Sequence, residues 1–301
     1  MVWTSNTQGS GSFRSVAYGN GYWVAVGDSG LLYYRAADPT GAWTSNTQGT
    51  SDYSGVVYAN GYWVACYESA TAGVRYRAGD PTGAWTDNSI GAAGFKDVGY
   101  GNGYWVVVGA TGHLWYRATD PTGTWTQNDQ GSSAFYGIAY GNGYWVVVAG
   151  TGGVLYYKAT DPTGVWTNNN QGSNSNDHPI YANGYWVFTG SSGVLYYKAT
   201  DPTGAWTLNG QGVQSLQDIC YSDWDGLFVT VGNSGTTYRT ADPTGSWTLE
   251  DVGSASLTSV DYGNYYYTAV GFSGALWYMP TVIPAPDAPE KMRVVTSPMR
   301  W

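Results

Sequence analysis

The sequence predicts an all-β protein: a seven-bladed β-propeller closed by its N-terminal strand and followed by an extended Pro-rich C-terminal arm. Three observations predict it. A unit of 40 to 42 residues recurs seven times. Each unit holds four strand-like segments separated by turn residues, and the segment missing from the last copy stands at the start of the chain. Composition agrees, with Gly 44, Tyr 28 and Trp 16 among 301 residues and charged residues at only 11%. An ordinary soluble domain carries roughly 25% charge. Glycine serves tight turns, while Tyr, Trp and Val suit pleated surfaces. Helical and disordered classes are excluded, the latter because aromatics at 17% offer abundant apolar surface.

The period is read from Trp-Thr, which begins at Trp3, Trp43, Trp85, Trp125, Trp166, Trp206 and Trp247. Asp-Pro-Thr-Gly precedes six of these, starting at Asp38, Asp80, Asp120, Asp161, Asp201 and Asp242. In the first unit, Ser15–Tyr18 reads as a strand ending at Asn20-Gly21, a pair that favours a type I′ hairpin. Tyr22–Val26 is apolar throughout, as in a strand buried on both faces. Gly27-Asp28-Ser29-Gly30 turns the chain into Leu31–Arg35. Asp38-Pro39-Thr40-Gly41 then places Asp, Pro and Gly where a type I turn prefers them, and Trp43-Thr44 opens the fourth strand. Four strands at this period make a propeller blade.

The last copy stops at Ala275–Tyr278 without its Asp-Pro-Thr-Gly-x-Trp-Thr, and the chain opens with Val2-Trp3-Thr4-Ser5-Asn6-Thr7. The N-terminal strand is therefore expected to complete the last blade and hide its edge. The expected domains are a ring over 1–279 and an arm over 280–301. The arm holds five of the twelve prolines, together with Lys291, Arg293 and Arg300. Proline withholds ladder donors, so the arm is expected to be extended and ordered by contact with the ring or a partner.

A net charge of −9 argues against nucleic acid, whose phosphates demand basic patches. No apolar run approaches the roughly 20 residues of a membrane helix, so membrane insertion is not expected. Cys66 and Cys220 fall on blades two and six, too far apart for a disulfide. Met1-Val2-Trp3-Thr4 carries no basic and apolar leader, so no signal peptide is expected.

The pattern Tyr-Gly-Asn-Gly-Tyr-Trp-Val-x-Val-Gly, then Leu-Tyr-Tyr-Lys/Arg-Ala-Thr-Asp-Pro-Thr-Gly-x-Trp-Thr, resembles the propeller repeats of actinobacteriophage minor tail proteins. More distantly it is similar to the Asp-box repeats of sialidases, although Gly41 here stands three after Asp38 rather than two. The resemblance covers 1–279 and implies a propeller in which the boxed Asp is structural. Asp38, Asp80, Asp120, Asp161, Asp201 and Asp242 are accordingly expected as turn residues.

Sialidase chemistry, as that resemblance implies it, needs three inward arginines, a Tyr–Glu pair and an acidic Asp. Arg35, Arg77, Arg117, Lys158, Lys198 and Arg239 share one slot on the outer hairpin. Outside the arm only Arg14 and Arg75 remain, and no Glu falls on an innermost strand. The set cannot be assembled. A two-carboxylate glycosidase would draw on Asp97 and Asp218, which share a slot, and on Asp177 one residue earlier. The two histidines, His113 and His178, lie on different blades without cysteine companions, so no metal is expected. Neither an enzyme nor a cofactor is expected.

Binding remains. The inner column Tyr18, Tyr58, Tyr100, Tyr140, Tyr181, Tyr221 and Tyr262 repeats in every unit and reads as packing. Variation gathers instead where the fourth strand of one unit leads into the next, giving Arg14, Tyr53, Lys96, Asp97, Tyr136, Asp177, His178, Gln217 and Asp218 as candidate ligand contacts. Diverse loop residues on a rigid scaffold are how binding faces are built. Their donors, acceptors and rings suit saccharides. The expected role is a non-catalytic virion protein, a minor tail protein or adhesin, that meets host surface carbohydrate and contacts other virion proteins through its arm. It would assemble in the host cytoplasm and be exposed on the particle. The alternative is a structural virion module with no ligand, or, less favoured, a secreted lectin or glycoside hydrolase.

Overall fold

The computed structural model describes residues 2–69, 71–91, 94–172 and 174–281. Among these residues the strands form seven antiparallel four-stranded sheets arranged as a ring. Blade 1 comprises Phe13–Gly19, Tyr22–Gly27, Leu32–Ala36 and Thr44–Ser45. Blades 2 to 6 repeat this order from first strands Asp52–Ala59, Phe95–Gly101, Phe135–Gly141, Asn176–Ala182 and Leu216–Ser222. Blade 7 contributes Leu257–Gly263, Tyr266–Gly271 and Leu276–Pro280, and its fourth strand is Thr4–Ser5. Thr4 lies opposite Tyr278 and Ser5 opposite Trp277, so the predicted closure is observed. The third strand runs to Pro280, one residue past the expected end of the ring, and Thr281 donates to the Tyr265 carbonyl at 2.8 Å. The expected order of the arm falls on 282–301, outside the described residues.

Each blade is locally over-determined. Asn20 and Gly21 have φ of 47° and 78°, the pair of positive values a type I′ turn demands. The inner Tyr packs on the aromatic ring opposite it in all seven blades, from Tyr18–Trp23 to Tyr262–Tyr267, with centroids 4.7 to 5.2 Å apart. A side chain at Gly19 would come within 2.3 Å of Tyr58 on the next blade, so the Tyr column also dictates glycine beside it. Trp23, Trp63, Trp105, Trp145 and Trp186 are fully buried between blades.

The outer strands are laced. Each boxed Asp accepts the backbone N–H two residues on, as Thr40 donates to Asp38 and Thr122 to Asp120, both at 2.9 Å. The threonine hydroxyl adds a second, shorter bond, which holds the Asp120 carboxyl below its usual range. The turn so fixed presents two carbonyls to the preceding blade. Asn46 Nδ2 donates to the Pro81 and Gly83 carbonyls, both at 2.9 Å, and Asn88, Asn128, Asn169 and Asn209 do likewise one blade further on. Asn6 completes the set across the seam, reaching the Pro39 and Gly41 carbonyls at 2.7 and 2.9 Å. The N-terminal strand therefore ties blade 7 to blade 1 as well as filling it.

Deleting residues 1–8 removes this strand and the buried Trp3, 8% exposed within the blade 6–7 core. Loss of a buried Trp alone costs about 3–5 kcal/mol. Thermal unfolding is expected to shift to markedly lower temperature, and an unchanged melting curve would contradict closure by this strand.

Candidate functional site

The site is set by a β-bulge repeated around the ring. In blade 1, Phe13 pairs with Gly27 and Ser15 with Val26, so Arg14 is an extra residue. The same shift occurs at the start of every first strand. A bulge leaves its extra residue outside the regular alternation and re-aims the strand. Here it turns two consecutive positions toward the channel mouth. The first position reads Arg14, Ser54, Lys96, Tyr136, Asp177, Gln217 and Thr258; the second reads Ser15, Gly55, Asp97, Gly137, His178, Asp218 and Ser259. Together with Glu68 and Phe272, all of these residues except Gly55 and Gly137 line one cavity of about 200 Å³.

Eight of the nine candidate contacts meet there: Arg14, Lys96, Asp97, Tyr136, Asp177, His178, Gln217 and Asp218. Tyr53 does not, which corrects that expectation. It occupies the position of Phe13, Phe95 and Phe135, is fully buried, and donates its hydroxyl to the Gln48 carbonyl at 2.8 Å. Counting five residues back from Tyr58, as Phe13 stands five before Tyr18, places it in the core column; Ser54 is the true counterpart of Arg14. Glu68 and Phe272 are the additions. Glu68 ends the second strand of blade 2 and Phe272 opens the turn after that of blade 7, where the repeat pattern carries no marker for direction.

The second ring solves a backbone problem. The innermost strand of each blade is a sheet edge, and its N–H groups face the neighbouring blade at a separation only side chains can span. Val16 donates to Ser259 Oγ and Val56 to Ser15 Oγ, both at 3.2 Å. Ile138 donates to Asp97 Oδ2 and Val260 to Asp218 Oδ2, both at 2.9 Å. Where the upstream residue offers no such acceptor, the downstream aspartate caps its own neighbour. Asp97 follows Gly55 and takes the Val98 N–H at 2.8 Å; Asp218 follows His178 and takes Ile219 at 2.7 Å. The seventh position follows Gly137 and is Pro179, which has no N–H to satisfy.

Asp97 and Asp218 thus sit in the cavity floor with both oxygens on backbone donors, 4% and 1% exposed. His178 lies between them, Nε2 3.5 Å from Asp97 and Nδ1 3.6 Å from Asp218. Above them the first ring is unevenly occupied. Arg14 Nε bonds Asp28, and its Nη1 lies 3.5 Å from Glu68 Oε1, which Lys96 Nζ reaches at 2.8 Å. Tyr136 and Phe272 are 42% and 45% exposed, with Lys96 Nζ 5.7 Å from the Tyr136 centroid. Burial pushes the Asp177 carboxyl up to about 7, and the Asp218 carboxylate adds to the effect.

No protein-family model and no curated protein matches the chain. Solved structures do match in fold. YCF48 bound to D1 peptide is similar at 12% identity with a TM-score of 0.75, over 93% of this chain and 95% of that one. YCF48 from Cyanidioschyzon merolae gives 12% and 0.74 over 93% and 99%. The Cps50 (Swd1) β-propeller domain from Myceliophteria thermophila gives 9% and 0.73 over 93% and 100%. The chain is a β-propeller, and at these identities the likeness is one of fold alone.

Two outcomes follow. Asp218→Ala strips acceptors from Ile219 N, Val260 N and Ser259 Oγ at once. Leaving buried donors unmet costs about 1–3 kcal/mol each before relaxation. Chemical denaturation is expected to show a loss of about 3 kcal/mol, with Asp218→Asn, which keeps one acceptor, in between. A neutral Asp218→Ala would contradict the capping role. For Asp177 the raised native value means that between about pH 4 and pH 7 the folded chain holds a proton the unfolded chain has released. Its contribution therefore falls as pH rises through that window and levels off above it. Relative to wild type, Asp177→Asn is expected to gain on the order of 3 kcal/mol between pH 4 and pH 8. Parallel stability curves would refute the shift.

Proposed function

We propose that the protein is a non-catalytic recognition module of a phage virion whose channel-mouth cavity binds host surface glycan. The observation that supports it is the pairing, in one concave site, of two exposed rings, Tyr136 and Phe272, with the polar side chains of Asp177 and Gln217. Saccharides present hydroxyls beside apolar C–H faces, and sites for them combine hydrogen-bonding groups with aromatic surface. The two buried aspartates that a glycosidase would use are occupied as backbone caps, which favours binding over hydrolysis. The virion setting rests on the resemblance of the repeats, with the arm over 280–301 as the attachment to other virion proteins. Single-site glycan affinity is weak, and many copies on one particle would raise it by avidity.

A glycan array probed with the full chain tests this reading. Binding to a restricted set of glycans is expected, reduced at least tenfold by Tyr136→Ala combined with Asp177→Ala while circular dichroism shows the ring still folded. Absence of any bound glycan would favour a structural virion module without a ligand.

A further inference from the structure

The lining of the cavity divides into two arcs with different chemistry. On blades 1 to 3 the charges answer one another: Arg14 with Asp28 and Glu68, and Lys96 with Glu68. Ser54, between them, donates to the Phe95 carbonyl at 2.7 Å. On blades 4 to 6 the same ring position holds Tyr136, Asp177 and Gln217. Among the described residues no side-chain hydrogen bond engages these three. Phe272, from the turn of blade 7, closes the arc with an exposed ring.

We propose that the ligand is an uncharged saccharide ring held on the arc of blades 4 to 7, with Asp177 and Gln217 taking its hydroxyls, Tyr136 and Phe272 flanking its C–H faces, and acidic sugars refused. The inference rests on reading the cavity as a saccharide site. Three features carry it further. A cavity of about 200 Å³ is smaller than the roughly 300–1,000 Å³ that enclose drug-sized ligands, so the open mouth seats one ring, and any further units of a chain lie outside it. An anionic ligand finds no unanswered cation: Arg14 and Lys96 would have to leave Glu68, and the floor beneath the arc carries the Asp97 and Asp218 carboxylates. Like charges at close range in a partly desolvated site oppose binding. A cationic ligand gains no direct partner from the floor, where Asp97 and Asp218 spend their oxygens on backbone N–H groups, and burial favours the uncharged form of the Asp177 carboxyl. An amide and a carboxyl beside two rings suit a neutral polyol ring best.

Saturation-transfer NMR and calorimetry on the full chain test the arc and the charge rule together. The probes are the methyl glycosides of glucose, galactose and mannose and N-acetylglucosamine as neutral rings, with glucuronate and N-acetylneuraminate as acidic ones. At least one neutral ring is expected to bind, with every acidic probe at least tenfold weaker. Tyr136→Ala and Gln217→Ala are each expected to weaken the neutral ligand at least fivefold, whereas Leu208→Ala, on an outer strand, leaves it unchanged. Circular dichroism of each variant confirms the fold. Acidic probes binding as well as neutral ones, or binding abolished by Arg14→Ala yet indifferent to Gln217→Ala, would overturn the inference and leave the saccharide reading intact. Binding of none of the probes, together with an empty glycan array, would overturn that reading itself.

Discussion

The inner edges of the seven sheets are the constraint on which the molecule turns. A propeller closed end to end leaves only short outer edges, but each blade still presents one strand edge to the channel. Its N–H groups cannot pair with the next blade, because the first strands converge without forming a common sheet. Every such donor at the level of the cavity floor is nonetheless accounted for. Ser15 and Ser259 serve one backbone donor each, Asp97 and Asp218 serve two each, and Pro179 removes the last. Residue choice at this level is therefore coupled between blades 41 residues apart. Gly55 is tolerated because Asp97 covers its own neighbour, and Gly137 because a proline follows on blade 5.

That coupling shapes what the mouth can do. A carboxylate committed to two backbone donors is a poor nucleophile and a poor base, so the acidic residues that look most catalytic by position are the least available. His178 stands in the same ring with a different duty, its imidazole between the two buried carboxylates rather than over a backbone donor. The bulge residue one position earlier faces the mouth: Arg14, Ser54, Lys96 and Thr258 are hydrogen-bonded or ion-paired there, whereas among the described residues Tyr136, Asp177 and Gln217 are not. There the ring is diverse, from Arg14 through Tyr136 to Gln217. The bulge separates two tasks that a regular strand would force onto opposite faces.

The propeller, its blade number and its closure were legible because they depend on period and turn chemistry. Seven Trp-Thr pairs and six Asp-Pro-Thr-Gly turns are local patterns that survive any uncertainty about register. The mouth was legible as a set of varying positions, and most of those positions converge. Tyr53 lies in the core rather than the mouth because its place in the repeat follows from its distance to Tyr58, not from the loop that leads into it. An aromatic five residues before that Tyr belongs to the core, as Phe13, Phe95 and Phe135 do. The asparagines at the end of the fourth strand are hidden in the sequence for a related reason. Asn46 and its equivalents look like ordinary turn-adjacent polar residues until their partners, 33 to 37 residues away, are seen.

The capping duty of Asp97 and Asp218 has a signal in the sequence at Pro179. Proline in the middle of an otherwise regular column is a statement that no donor is wanted there. Pro179 stands at the position of Val16, Val56, Val98, Ile138, Ile219 and Val260. Its presence implies that those six N–H groups point somewhere they need an acceptor, and the preceding residue on the same or the upstream blade is the only one within reach. Serine and aspartate at that preceding position then read as caps before they read as ligand contacts. The sequence thus separates structural from available polar groups in the mouth. It leaves Tyr136, Asp177 and Gln217 as the side chains whose chemistry the fold does not itself consume.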